Sequence, residues 1–95
     1  MILHKYAASP YSSNSVNNSI ARIEKNDGIL LTLDGVYCCD HSILESLLDS
    51  THKIYVLKDD AQARGIKVAD ERLTQVDYRG FVQLVTQYDS TIAWD

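Results

Sequence analysis

No stretch of this chain is long and apolar enough to cross a bilayer. Its hydrophobic runs, such as Ile29–Leu31, fall far short of the roughly 20 residues a spanning helix needs. The N-terminus lacks a basic segment followed by a long apolar core, so no signal peptide is expected, and the chain reads as a soluble, intracellular protein without a membrane partner. Basic residues never gather into a stripe. Nine Lys and Arg are scattered singly against thirteen Asp and Glu, giving a net charge of −4. That disfavours direct, tight binding to a nucleic-acid backbone, which draws on clustered positive charge, but not an indirect role near RNA. Thiols are scarce: the two cysteines are neighbours, Cys38 and Cys39. A disulfide between adjacent residues closes a strained ring, and no third cysteine offers another bridge, a pattern that fits a reducing cytosol. No Gly-rich phosphate loop, internal repeat or low-complexity segment is present.

What remains is an ordinary globular composition. Ninety-five residues, 45% hydrophobic and 23% charged, make one small domain spanning residues 1–95. A chain of this size buries roughly two thirds of its unfolded surface, which leaves a thin stability margin.

The apolar pattern alternates between strand and helix periods. Met1–Ala7 reads as a strand, followed by the turn-rich Ser9-Pro10-Tyr11-Ser12-Ser13-Asn14. Asn14 or Ser15 is placed to cap a helix carrying Val16, Ile20 and Ile23, which Asn26-Asp27-Gly28 ends. Ile29–Leu33 is a buried strand closed by Asp34-Gly35, and Val36–Cys39 suits one helical turn. Ser42 and Glu45 have capping-box spacing ahead of Ile43, Leu44, Leu47 and Leu48. Ile54-Tyr55-Val56-Leu57 is an unbroken apolar run, expected to be buried on both faces. Asp59 or Asp60 starts the next short helix by capping and dipole pairing, and Gly65 suits its left-handed C-terminal cap. Leu73–Val76 and Thr91–Trp94 are further strands. Between them Asp77 caps Tyr78–Tyr88, a helix with Tyr78, Phe81, Val82, Val85 and Tyr88 on one side. The order predicts a three-layer α/β/α fold with a mostly parallel sheet of about five strands. Such short helices leave strand edges and faces open, which association with other subunits would cover. The six tyrosines and one tryptophan serve either the core or such contacts.

The corner after a parallel strand is where α/β folds keep their chemistry. Here it holds Leu57, Lys58, Asp59 and Asp60, with no cysteine, serine or histidine. Cys38 and Cys39 are the only candidate sulfur nucleophiles, and Asp34 and Asp40 nearby oppose thiolate formation. Cys38, Cys39, Asp40 and His41 make a poor metal set, since adjacent ligands rarely reach one tetrahedral ion. His4 is expected to be partly buried and hydrogen-bonded, and His52 to face solvent. Ser9, Ser12 and Ser13 lie where an anion could meet a helix N-terminus, but ordinary capping accounts for them.

Several segments together resemble one family: Ile2-Leu3-His4, Ser9-Pro10, Leu33-Asp34-Gly35-Val36, Leu44-Glu45-Ser46-Leu47, Tyr55-Val56-Leu57, Ala63-Arg64-Gly65, Val76-Asp77-Tyr78 with Phe81-Val82, and Ala93-Trp94. Their order resembles the TusB subunits of the bacterial sulfur relay, within the DsrH-like group, from end to end. The resemblance implies a heterohexamer with TusC- and TusD-like sister subunits. That assembly takes persulfide sulfur from a TusA-like carrier, passes it through a TusD cysteine to a TusE-like carrier, and serves 2-thiolation of the tRNA wobble uridine. The sister subunit's reactive cysteine corresponds to about Leu57 here. The cysteine that DsrH proteins of sulfur oxidisers carry in the first helix corresponds to Ser19, whose hydroxyl cannot hold a persulfide.

The expectation is thus a non-catalytic structural subunit of a cytoplasmic sulfurtransferase complex, with no catalytic residue, cofactor or metal of its own. The alternatives are a sulfur-accepting subunit using Cys38 or Cys39, a DsrH-like component of sulfur oxidation, and a self-associating module outside the relay.

Overall fold

The computed structural model describes residues 1–94. Strands β1 (Ile2–Tyr6), β2 (Gly28–Leu31), β3 (Ile54–Leu57), β4 (Leu73–Val76) and β5 (Ser90–Trp94) alternate with helices α1 (Ser15–Ser19), α2 (Ile43–Ser50), α3 (Lys58–Ala63) and α4 (Tyr78–Gln87). All five strands are parallel, in the order β4-β3-β2-β1-β5. The first three crossovers step outward in one direction and the last returns to the far side of β1. With right-handed connections, α1, α2 and α3 therefore share one face of the sheet and α4 lies on the other. The packing agrees. Tyr6, Ile29, Leu31, Ile54 and Val56 join Val16, Val36, Leu44 and Leu47 in the larger core, while Leu3 and Leu30 meet Leu84 in the smaller one. Each fully buried Leu or Ile contributes about 2 kcal/mol by leaving water.

The two faces are unequally covered, and this corrects two readings of the sequence. In β3, Ile54 and Val56 are buried but Tyr55 and Leu57 are only half covered, because a single helix lies over that face. In α4 the buried centre is Leu84, while Tyr78 and Val82 stay 65% and 48% exposed. The Phe81-Leu84-Val85-Tyr88 side turns inward, and Tyr78 and Val82 are left at the margin.

Local signals also resolve differently from the sequence pattern. The first helix tightens to a 3-10 turn at Ile20–Arg22 and stops, since Ile23 is extended. Asp27 Oδ2 accepts the Glu24 N–H at 3.0 Å and folds the chain back early. Asn14 stands at the cap position without a side-chain bond, and Ser13 Oγ accepts the Ser15 N–H instead. The Ser42/Glu45 capping box does not form. His41 Nδ1 accepts the Ile43 N–H at 2.9 Å, and Glu45 pairs with Arg72. Helix α3 starts at Lys58 directly from β3, with no side-chain cap. Asp60 Oδ2 reaches across to the Leu33 N–H instead. Asp77 does cap α4, accepting from Gly80 N at 2.7 Å. Gly65, at φ +67°, ends α3 as a Schellman motif: Ile66 N–H bonds Ala61 O at 2.9 Å and Gly65 N–H bonds Gln62 O at 3.2 Å.

Candidate functional site

The C-terminal ends of β1, β2 and β3 open onto a cavity of about 320 Å³ between α3 and α4. Leu57, Leu33, Phe81 and Tyr78 give it apolar walls; Lys5, Asp59 and Asp60 bring charged side chains to it, and Thr32 completes the lining. Leu57 ends β3 here, so the corner where the resemblance places a sister subunit's cysteine carries an aliphatic side chain. Lys5 points its ammonium over the Phe81 ring, 5.9 Å from the centroid, and makes no ion pair among the described residues. Thr32 is 4% exposed, and its Oγ1 has no hydrogen-bond partner. Leu33 adopts φ +48°, an uncommon conformation for a side chain of this size, while half exposed to solvent. Such strain persists where surrounding bonds enforce it, here the Asp60 carboxylate on Leu33 N and the Gly35 N–H on Thr32 O.

The thiols lie elsewhere. A 3-10 segment, Leu33–Asp40, longer than the single turn expected over Val36–Cys39, carries Cys38 and Cys39 toward its C-terminal end, where outward carbonyls oppose a negative charge. Cys38 is fully buried. Burial, then Cys39, pushes its pKa from 9.0 to about 12. Cys39 is half-buried and is pushed to about 11 by burial, then by Asp40 and Asp70. Asp34 is not part of that field; it is paired with Arg64 at 2.9 Å. At pH 8 a thiol at about 11 has roughly 100-fold less thiolate than one at 9. Iodoacetamide is therefore expected to label the native chain at least that much more slowly than the unfolded chain. Comparable native and unfolded rates would contradict this environment.

Ser19 is fully buried in α1. Its Oγ donates to Ser15 O at 2.6 Å and accepts from the Tyr6 hydroxyl, also at 2.6 Å. Burial, opposed by that bond, raises the Tyr6 pKa. In the serine-rich loop the Ser12 and Ser13 N–H groups close turns onto Ser9 O, so they are already occupied. His41 spends Nδ1 on Ile43 and stands edge-on to Tyr11. His52 is exposed.

His4 is more deeply placed than its sequence context indicates, at 1% exposed. The indole Nε1–H of Trp94 donates to its Nδ1 at 3.0 Å, so the ring proton sits on Nε2 and is donated to Asp27 Oδ2 at 2.9 Å. Asp27, which in the sequence looks like a helix stop, is the buried hub of this network. Burial alone would raise its pKa. The bonds from His4 and from the Glu24 and Ile2 N–H groups outweigh that and hold it below the usual 3.8. The sequence signal was faint: an acidic residue just before a buried strand, with donors distant along the chain.

Fold and site define a small parallel α/β domain with an apolar strand-end pocket and sequestered thiols. No described helix is long and apolar enough to cross a membrane. The profile of the family described as DsrH like protein matches residues 8–91, and the chain belongs to that DsrH-like family. Among its relatives, Protein TusB of Pectobacterium parmentieri is 30% identical over 98% of this chain and all of its own length. Protein TusB of Buchnera aphidicola is 32% identical over the same shares. Protein TusB of Salmonella dublin is 34% identical over 90% of this chain and 95% of its own. In fold, the chain is similar to the ychN protein of E. coli, with TM-score 0.76, 18% identity and 97% of each chain covered. It is also similar to Tm0979 of Thermotoga maritima, with TM-score 0.65, 25% identity, and 94% and 95% covered.

Proposed function

We propose that this chain is a non-catalytic structural subunit of a cytoplasmic sulfurtransferase complex that relays persulfide sulfur toward 2-thiolation of the tRNA wobble uridine. Its partners are TusC- and TusD-like sister subunits in a heterohexamer, with TusA- and TusE-like carriers reached through the complex. One observation carries the reading: the corner after β3 presents Leu57 to its pocket, while both thiols of the chain lie outside that pocket, with pKa values raised by burial. Persulfide chemistry needs an accessible thiolate. The hydroxyl at Ser19, buried and doubly bonded, supports the tRNA-thiolation branch over sulfur oxidation. An acidic chain without a basic stripe takes part in such a pathway without gripping tRNA itself.

Co-expression with TusC- and TusD-like subunits is expected to yield one assembly by sedimentation, and a chain that stays separate at micromolar concentration overturns the proposal. After incubation with a persulfide donor, mass spectrometry is expected to find the native chain unmodified. A stoichiometric adduct of about 32 Da on Cys38 or Cys39, abolished by Cys→Ser, would make it a sulfur acceptor.

A further inference from the structure

We infer that His4 is a proton-operated latch on the edge strand: a proton arriving at its Nδ1 evicts the Trp94 indole and frees the end of β5, while Asp27 keeps its hold on His4 and the sheet stays folded. This goes beyond the subunit reading above and does not rest on it.

The hydrogen bonds leave no room for a second ring proton. The Trp94 Nε1–H can only donate, and it reaches His4 Nδ1 at 3.0 Å. Asp27 Oδ2 takes the proton on the other ring nitrogen at 2.9 Å. An imidazolium carries an N–H on both nitrogens. Its Nδ1–H would face the indole N–H, donor against donor, on a side chain only 1% exposed. No attraction between ring faces offsets this. The rings are parallel to within 13° with centroids 6.1 Å apart, and the 3.0 Å bond between their nitrogens makes them meet edge to edge, so the geometry of a cation over an aromatic face is missing. On the Asp27 side the effect is the reverse, because a bond between an imidazolium and a carboxylate is roughly twice as strong as a neutral one. One proton from solvent therefore exchanges the Trp94 bond for a tighter His4–Asp27 pair.

The surroundings single out His4 as the group that responds. Its register neighbours, Ile29 on β2 and Ile92 on β5, bring no charge. From α1 comes Ser19, bonded to Tyr6. From the 3-10 turn comes Arg22, 5.7 Å from the Trp94 ring, a fixed cation throughout. Glu24 contributes its backbone N–H to Asp27. The bonds that hold the Asp27 carboxyl below its ordinary 3.8 keep it ionised in mild acid. At the far end of β5, the Met1 ammonium pairs with Asp89 at 2.7 Å. The part free to move is β5 itself. It is an edge strand paired only with β1, with Ser90, Thr91 and Ala93 exposed. Trp94 Nε1 to His4 is the one side-chain hydrogen bond β5 makes among the described residues.

The test compares the full chain at about pH 8 and about pH 5, the range in which histidine ordinarily changes charge. Trp94 is the sole tryptophan, so its emission reports the latch. Acid is expected to shift that emission to the red, reversibly and with unchanged far-UV circular dichroism. Hydrogen-exchange protection of the β5 amides is expected to fall at least about tenfold relative to β2, since an opening linked to one proton grows by up to about tenfold per pH unit. His4→Gln, neutral throughout, is expected to lose the pH response. Trp94→Phe lacks the indole donor, and its β5 protection is expected to be equally low at both pH values. Should His4→Gln not fold, Trp94→Phe alone decides. Asp89→Asn removes the Met1 pair and is expected to keep the response. Wild-type emission and β5 protection that do not change with pH overturn the latch. So does a response that persists in either His4→Gln or Trp94→Phe, or one that vanishes in Asp89→Asn.

Discussion

Replacing Asp27 with alanine is expected to destabilise the fold by about 3–5 kcal/mol, a large fraction of the ~5–10 kcal/mol a domain of this size commands. The carboxylate is 3% exposed. Its Oδ1 accepts from Ile2 N at 2.9 Å, and its Oδ2 accepts from Glu24 N at 3.0 Å and His4 Nε2 at 2.9 Å. Alanine leaves all three donors without an acceptor, at about 1–3 kcal/mol for each that water cannot reach. His4 in turn holds Trp94, whose ring is nearly parallel to its own at 13° and lies beneath the Arg22 guanidinium. The loss therefore spreads from the start of β1 to the exposed edge strand β5. The pH dependence has a defined sign. The folded carboxylate titrates below its ordinary 3.8, so the folded state binds fewer protons than the unfolded state in that range. The contribution is complete above the ordinary value and is lost as pH falls through the lowered one. Urea unfolding of wild type and Asp27→Asn between about pH 7 and pH 3 measures this. The asparagine, whose amide N–H faces other donors, is expected to lower stability at neutral pH and to flatten the acid limb. An Asp27→Ala midpoint near wild type, or an unchanged acid limb in Asp27→Asn, would show that the network does not hold the fold.

The strands were legible because each is a short apolar run bounded by turn residues, and the parallel order followed from helices falling between them. Gly65 and Asp77 were legible because their caps are local: a positive φ and an N–H three residues on. Asp27 was not, because its donors come from residues 2, 4 and 24, and no periodicity links those positions. The Ser42/Glu45 pair misled because capping-box spacing is also what a turn followed by an outward glutamate looks like. In this fold Arg72 claims the glutamate and His41 the orphan N–H. At the pocket, the sequence located the corner and its missing nucleophile. The strained Leu33 and the unsatisfied Thr32 hydroxyl carry no residue-type signal, since both follow from where the chain is forced to turn. The exposed Tyr78 and Val82 share helical spacing with buried residues, and only the roll of α4 onto Leu84 separates them.

That turn is also the source of the second large effect. Gly35→Ala is expected to cost about 3 kcal/mol, lowering the melting temperature by roughly 15 °C in a domain this small. A methyl group on Gly35 would fall 2.0 Å from the Tyr6 carbonyl oxygen and 2.8 Å from its carbon. Both are backbone atoms at the end of β1 that no rotamer change can move. The same oxygen accepts the Thr32 N–H at 3.0 Å, so relieving the clash means separating β1 from the segment that leaves β2. Gly65→Ala is the contrast. Nothing lies within 4 Å of its added methyl, and the penalty is that of a side chain at φ +67°, about 1 kcal/mol. Thermal unfolding of the two variants separates close approach from backbone conformation. A Gly35→Ala loss no larger than that of Gly65→Ala would mean the crossing at Tyr6 is loose.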